Sequence, residues 1–295
     1  MNLTKITNLN KEQIIQLFEL TKELKKEPLK FKHSLVGKNV FFGTEKSSLR
    51  TRISFEVAMN HLGGNCIYYN LKDSTIGKKE SWKDAIKNLE RYVDLIALRV
   101  FSHNIFNEVV NNTKIPIINA LSDDYHPLQI LADLFTIKEK LGHLSKINIA
   151  YVGDANNNVT HSLILACAMF EINLKIGCPK ELIPKSQVLI EAKKIGNNPI
   201  ITTDPFVAVK DAQIVITDSW KSYDVTKDNT KILQKFQVNS NLMKHTNNAL
   251  FMHCLPAHRG KEVTNEVIDS VNSIVYDEAE NRLHTQKALI LMMLK

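Results

Sequence analysis

Arginine is scarce in this chain: 38 residues are Lys or Arg, but only six are Arg, namely Arg50, Arg52, Arg91, Arg99, Arg259 and Arg282. Cysteine is scarcer. Cys66, Cys167, Cys178 and Cys254 form no Cys-x-x-Cys pair, which argues against zinc-ribbon and dithiol redox motifs. A chain of 295 residues needs no disulfides, so reduced thiols and a cytoplasmic location are expected. No window approaches the ~18 consecutive apolar residues of a membrane span. Met1–Asn10 lacks the basic-then-apolar pattern of a signal peptide. Repeats, low-complexity tracts and long Gly/Pro linkers are absent. What remains is an ordinary globular composition, 44% hydrophobic and 23% charged, at a length that suggests two domains.

The formal charge of +7 permits a polyanion partner. However, the lysines are spread as on a solvated surface, and no nucleic-acid module or aromatic-basic stripe is present. No nucleic-acid or membrane partner is expected. The arginines are the more informative subset, because only a guanidinium fork grips phosphate or carboxylate bidentately.

Periodicity and punctuation predict an α/β protein. Asn10 caps an amphipathic helix that ends before Pro28. Strands are expected at Lys38–Gly43, Asn65–Tyr69, Asp94–Val100 and Ile115–Asn119, with helices over Ser48–Leu62, Ser81–Tyr92 and from His126-Pro127 to Leu141. Proline there takes its favoured first helical position. The pattern restarts after Gly142–Lys146, with strands at Ile147–Val152, Leu174–Gly177, Pro199–Thr202, Ile214–Thr217 and Leu250–His253. The expected architecture is two doubly wound parallel-sheet domains, residues 1–142 and 143–280, with an active-site cleft between them. A final helix, Asn281–Leu294, is expected to pack back on the first domain.

Several strand-to-helix junctions carry chemistry. Ser48-Leu49-Arg50-Thr51-Arg52 puts two hydroxyls and two guanidiniums at a helix start, where open N–H groups and the macrodipole favour a phosphate. Arg99 ends its strand at the sheet edge that binds ligands in such folds, although a salt-bridged arginine would look the same. His126 and Gln129 stand one helical turn apart and could face one carbonyl or amide group; simple capping is the alternative. Gly153-Asp154-Ala155-Asn156-Asn157-Asn158 takes the place of a dinucleotide fingerprint but lacks its glycine spacing, so its amides could serve a polar ligand or a plain turn. Asp218 could hold a cationic amine or cap a helix, with Ser222 one turn later. In His253-Cys254-Leu255-Pro256-Ala257-His258 the spacing offers no fourth zinc ligand, and no partner makes Cys254 a nucleophile. No metal or cofactor is expected. Glu278 and Glu280 precede Arg282, which is expected near the start of the last helix and available to a ligand.

In order along the chain, SLRTR, GKKESWKD, ALR, HPLQ, GDANNNVTHS, DSWKS, FMHCLPAHRG and DEAENRLHTQKA resemble the aspartate/ornithine carbamoyltransferase family over nearly its whole length. His-Cys-Leu-Pro and Asp-x-x-x-Ser point to the ornithine branch. Five of the six arginines fall inside these segments. The resemblance implies transfer of a carbamoyl group from carbamoyl phosphate to the side-chain amine of ornithine, without a cofactor. It implies that Ser48, Leu49, Arg50, Thr51 and Arg52 form the phosphate loop, with Arg99 bridging phosphate and carbonyl oxygen. His126 and Gln129 would contact the carbamoyl group, and Cys254, Leu255 and Arg282 would complete that pocket. Asn158, Asp218, Ser222 and Tyr223 take the ornithine positions, with Arg99, His126, Asp218 and Cys254 as the catalytic set. It also implies a homotrimer with sites at subunit interfaces. Two departures stand out. Ser222-Tyr223-Asp224 replaces the branch's usual Ser-Met-Gly, and Thr75 replaces a glutamine that reaches the neighbouring subunit. A carbamoyltransferase for putrescine or an N-acylated ornithine, or a binding protein without turnover, are the alternatives these departures leave.

Overall fold

The structure, a computed structural model, describes residues 1–220 and 229–295. Residues Met1–Phe135 and Glu280–Lys295 form one compact unit, and Thr136–Ala279 form the other. Each is built on a parallel sheet.

The first unit starts with α1 (Lys11–Lys26), closed at its N-terminus by a reciprocal pair: Asn10 accepts from the Gln13 N–H at 2.8 Å, and Gln13 accepts from the Asn10 N–H at 2.9 Å. The sheet contains β1 (Asn39–Thr44), β2 (Asn65–Asn70), β3 (Leu95–Arg99) and β4 (Ile117–Leu121), in the order β2-β1-β3-β4. Between them run α2 (Leu49–Leu62), α3 (Trp82–Leu89) and α4 (Ile105–Asn111). Successive strand residues face opposite ways. Phe41 joins Ile86 of α3 and Phe106 of α4 on one face, while Phe42 stacks on Phe55 of α2, 5.0 Å away, on the other. Helices therefore cover both faces. The strand read as Ile115–Asn119 forms two residues later, because Pro116 has no N–H to give the ladder and contributes only its carbonyl, to Ile96. Leu3 pairs with Ile118 and covers part of the β4 edge.

The helix α5 (Pro127–Leu141) leads from the first unit into the second. There β5 (Asn148–Val152), β6 (Asn173–Gly177), β7 (Ile200–Thr202), β8 (Ile214–Ile216) and β9 (Leu250–Met252) lie in the order β7-β6-β5-β8-β9, all parallel. The helices are α6 (Asn158–Phe170), α7 (Ser186–Ile195), α8 (Pro205–Val209), α9 (Thr230–Leu233), α10 (Ser240–Met243) and α11 (Asn265–Ile268). One core joins Ala150, Val152, Val215 and Phe251 of the sheet to Val209, Leu242 and Val267. The last helix, α12 (Val275–Leu294), begins six residues earlier than the sequence suggests.

Both sheets are doubly wound, and both have a point where the strand order reverses: between β1 and β3 in the first, between β5 and β8 in the second. At such a point neighbouring loops run to opposite faces and leave a crevice beyond the carboxyl ends of the strands. The Ser48 loop and Arg99 leave the first switch point; the Gly153 turn and Asp218 leave the second.

Candidate functional site

In the first unit, Ser48 caps α2 and accepts from the Thr51 N–H at 3.4 Å. Its hydroxyl lies 2.9 Å from Thr51 Oγ1, which also takes a hydrogen bond from Arg282 at 3.2 Å. With both acceptor positions of Thr51 used in this arrangement, its own O–H remains to donate. Arg282 donates through its other nitrogen to Gln129 Oε1 at 2.5 Å, and Gln129 Nε2 donates to Asp133 Oδ1 at 2.8 Å. Thr51, Gln129, Asp133 and Arg282 are all buried, so a hydroxyl, an amide, a carboxylate and a guanidinium from α2, α5 and α12 share one desolvated cluster.

Arg99 reaches this region from a register shift at the end of β3, where Leu98 pairs with Asn119 but Arg99 pairs with Leu121. Such an irregularity re-aims a side chain next to a site. His126 is fully buried immediately before α5. Burial, reinforced by the charges of Arg282 and Arg99, holds its imidazole well below the ordinary value of 6.5. A neutral imidazole at pH 7 is a hydrogen-bond donor that adds no charge to a cationic pocket. Arg50, half-buried, lies in the first turn of α2. Together these groups can take a compact dianion and polarise a carbonyl attached to it.

The side chains of two residues of the phosphate loop do not join this cluster. Leu49 is exposed. Arg52 bonds Glu56 one turn along α2, at 2.8 Å, and lies 3.9 Å over the ring of Tyr68 on β2, so its guanidinium is held on the outer face of the helix. Arg282 also needs correction. It is not at the start of its helix but the eighth residue in, because α12 begins at Val275; the first-turn acids are Asp277 and Glu278. Its partners come from residues 51 and 129, far away in sequence.

In the second unit, Gly153 adopts φ +137°, and a Cβ there would sit 3.2 Å from Thr217 Oγ1, so only glycine lets the turn after β5 pass this close to β8. Asn157 caps α6, accepting from the Thr160 N–H at 2.8 Å. Its amide also donates to the Asp154 carbonyl (2.7 Å) and to the Tyr151 hydroxyl (2.9 Å), which itself donates to the Asp154 carbonyl (2.7 Å). Burial, with Asp218 nearby, pushes that phenol well above its ordinary value, so it stays protonated and holds the turn. Asn158 is the first residue of α6 and is buried. At the ends of β8 and β9, the Cys254 thiol donates to Asp218 Oδ1 at 3.1 Å. No helix begins at Asp218 within the described residues; its Oδ1 also accepts from the Ser219 N–H. Ser222 and Tyr223 lie outside the described residues.

Leu255 takes a left-handed conformation (φ +54°), which costs an L-residue about 1–2 kcal/mol. His253 compensates: Nδ1 accepts from the Leu255 N–H at 2.9 Å, so a ring proton belongs on Nε2, 3.4 Å from the buried Glu262. Burial would raise the Glu262 carboxyl, but bonds from His253 and the His258 N–H outweigh it and hold it below the ordinary range. Glu278 accepts from the backbone N–H of His253 at 2.9 Å. Asp133, Tyr151 and Glu262 carry this architecture beside Asn157 of the Asn-rich turn, yet none of the three stood out in the sequence. Asp133 alone left a signal there, the i,i+4 spacing from Gln129 along α5.

Asp218, His253 and Cys254 offer ligand atoms within 4.8 Å of one another, the one such group among the described residues. Cys254 already donates to Asp218, and His253 Nδ1 already accepts from the Leu255 N–H. A cation would have to break these bonds and find a fourth donor.

Residues 1–139 match the carbamoyl-P binding domain, and residues 145–293 the Asp/Orn binding domain, of aspartate/ornithine carbamoyltransferase. An ornithine carbamoyltransferase of Methanocaldococcus jannaschii is 43% identical over 298 residues, covering 98% of this chain and 97% of the relative. A catabolic ornithine carbamoyltransferase of Thermoplasma volcanium is 41% identical, covering 96% and 95%. The solved ornithine carbamoyltransferase of Pyrococcus furiosus superposes with a TM-score of 0.94 at 40% identity, covering 99% of this chain and 96% of that one.

Proposed function

The chain belongs to the aspartate/ornithine carbamoyltransferase family, and from that premise we propose that it transfers the carbamoyl group of carbamoyl phosphate to the side-chain amine of ornithine, giving citrulline and phosphate in arginine metabolism. The observation that carries the proposal is the buried junction of Thr51, Gln129, Arg282 and a neutral His126 beside the N-terminus of α2, a site suited to a phosphate that bears a small carbonyl group.

In this reading Ser48, Arg50, Thr51 and the first turn of α2 hold the phosphate, and Arg99 bridges it to the carbonyl oxygen. His126 donates to that oxygen as charge develops on it. Gln129, Arg282 and the Cys254-Leu255 backbone line the carbamoyl group. Asn158, Asp218, Ser222 and Tyr223 receive ornithine, with Asp218 and Cys254 orienting its amine. The neutral amine attacks the carbonyl carbon, a tetrahedral intermediate forms, and phosphate leaves. Because a free amine of this kind is mostly protonated at neutral pH, deprotonation precedes attack. Holding both substrates in attack geometry can remove ~7–11 kcal/mol of barrier in favourable cases. The enzyme acts as a homotrimer in the cytoplasm, with the loop around Thr75 near a neighbouring subunit's site.

The test is release of phosphate and formation of the carbamoylated amine from carbamoyl phosphate with ornithine, putrescine or N-acetylornithine as the acceptor. Ornithine is expected to be turned over best. Phosphate release with putrescine or N-acetylornithine but not with ornithine would overturn the choice of amine, and no turnover with any of the three would overturn the enzyme.

A further inference from the structure

His126 stands at the joint between a loop and a helix, and its backbone is held from both sides. On the helix side, its carbonyl accepts from the Gln129 and Ile130 N–H groups at 3.1 and 3.4 Å, in the first turn of α5. On the loop side is the Tyr125 carbonyl, which belongs to the planar peptide unit that ends at His126 Cα. That oxygen accepts from the Ser122 N–H at 3.0 Å and from the side-chain nitrogen of Asn119 at 3.2 Å. Ser122 Oγ takes the Tyr125 N–H at 3.3 Å and a bond from the same Asn119 nitrogen at 3.2 Å. The nitrogen has a third partner, the Thr4 carbonyl at 2.8 Å. The N-terminal segment runs beside β4, with Leu3 bonded to Ile117 and Asn119, so one buried amide joins that segment, the strand and the turn before His126. Thr4 and Tyr125 offer only carbonyl oxygens here, so the amide must face them with its nitrogen. Its own oxygen is buried without a hydrogen-bond partner among the described residues, which lowers stability. An apolar residue, like Ile117 and Leu121 on the same face of β4, would avoid that loss.

We infer that Asn119 is a positioning residue for His126: its carboxamide ties the Tyr125 carbonyl to β4 and to the N-terminal segment, and so fixes where the imidazole stands. This rests on the reading above, in which His126 donates to the carbonyl oxygen of the substrate. Asn119 acts through one peptide plane. Without its nitrogen the Tyr125 carbonyl keeps only bonds from within its own turn, and the turn is released from the N-terminal segment. A small misplacement of a catalytic donor lowers the rate of the chemical step more than it lowers binding. The cap of α2, where Ser48 and Thr51 bond each other, shares none of these bonds, so phosphate binding stays outside the effect. Burial, then the charges of Arg282 and Arg99, hold the imidazole below 6.5, and a ring that leaves this place regains water and titrates nearer to that value.

The test is Asn119→Ala in the full-length protein, read in two ways. Steady-state kinetics with carbamoyl phosphate and ornithine are expected to show kcat down about 10–100-fold, with KM for carbamoyl phosphate and the Kd of inorganic phosphate within about twofold of wild type. In histidine-labelled protein, the NMR titration of His126, assigned by comparison with His126→Asn, is expected to move up toward 6.5, while that of His284 stays at about 4. If the alanine variant does not fold, Asn119→Thr takes its place with the same expectation. Threonine suits a strand, and its single O–H cannot bond two carbonyls at once at full strength. An unchanged kcat or an unmoved His126 signal would overturn the inference. So would equal shifts of His126 and His284, or an equal loss of rate and phosphate affinity, since either marks a general loosening of the unit. A wild-type protein that turns over no amine would instead sink the reading of function, and the His126 titration would still decide whether Asn119 places the ring.

Discussion

The anion cluster of the first unit and the amino-acid region of the second sit at equivalent switch points of two similar sheets, yet they are assembled in opposite ways. The first is held by cations and amides that come from helices far apart in sequence: Arg282 ties residue 51 to residue 129. The second is held mainly by short-range bonds within turns that follow strands, such as Asn157 to Asp154 and Leu255 to His253. The chemistry differs accordingly. A phosphate needs converging positive charge, which no single segment of this arginine-poor chain supplies. An amine needs one carboxylate and a shaped turn, which the end of one strand can present.

Removing the residue that joins the most distant segments should have the largest effect. Arg282→Met is expected to lower kcat/KM for carbamoyl phosphate by about 10²–10³, the range for losing one strong donor to developing charge. Steady-state kinetics at saturating ornithine measure it, and a loss of less than fivefold would mean that Arg282 is only a strut between helices. Next in size, Asp218→Asn should lower kcat/KM for ornithine by about 10–100-fold, the scale of a hydrogen bond to a charged group, with carbamoyl phosphate affinity kept within about twofold. Equal damage to both substrates would erase the division of labour between the two units.

The smallest effect expected is a difference in acid stability. His61, His126 and His284 all belong to the first unit, and burial holds each below 6.5, His284 at about 4. The unfolded chain binds protons near pH 6.5 that the fold refuses, so stability rises with pH across this window. The histidine contribution is complete above 6.5 and is lost as pH falls toward about 4. Each unit carries one of the two tryptophans, Trp82 and Trp220, so the variants Trp220→Phe and Trp82→Phe each leave a probe of one unit. Urea midpoints at pH 7.5 and pH 5 should drop more for the Trp82 signal than for the Trp220 signal. Equal drops, or a midpoint that rises on acidification, would break the assignment. Activity has the same sign on the alkaline side and is expected to rise with pH as the attacking amine loses its proton.

Much of this was legible in the chain. Alternating apolar runs and helix caps give the strands and helices nearly in place, because strand and helix periods are local properties. The Ser48 loop, His126 and the Asp218 strand end were visible as chemistry because each is a contiguous motif at a junction. Other features were not. The start of α12 is not legible there, because Val275–Glu280 has no cap or periodic face strong enough to mark it, and the placement of Arg282 depends on that start. Arg52 read as a phosphate ligand because charge in a motif does not reveal which face of a helix a residue occupies; Glu56 and Tyr68 decide that.

The sequence by itself determined the secondary structure, the family and which residues carry reactive groups, since all of these follow from local pattern. Tertiary structure decided which groups act together and what state they are in. Thr51, Gln129, Asp133 and Arg282 meet only when α2, α5 and α12 pack, and His126 is held in its neutral form only because the same packing removes water and brings Arg282 and Arg99 close. Desolvation and through-space charge are properties of the folded volume, and no order of residues along a chain contains them.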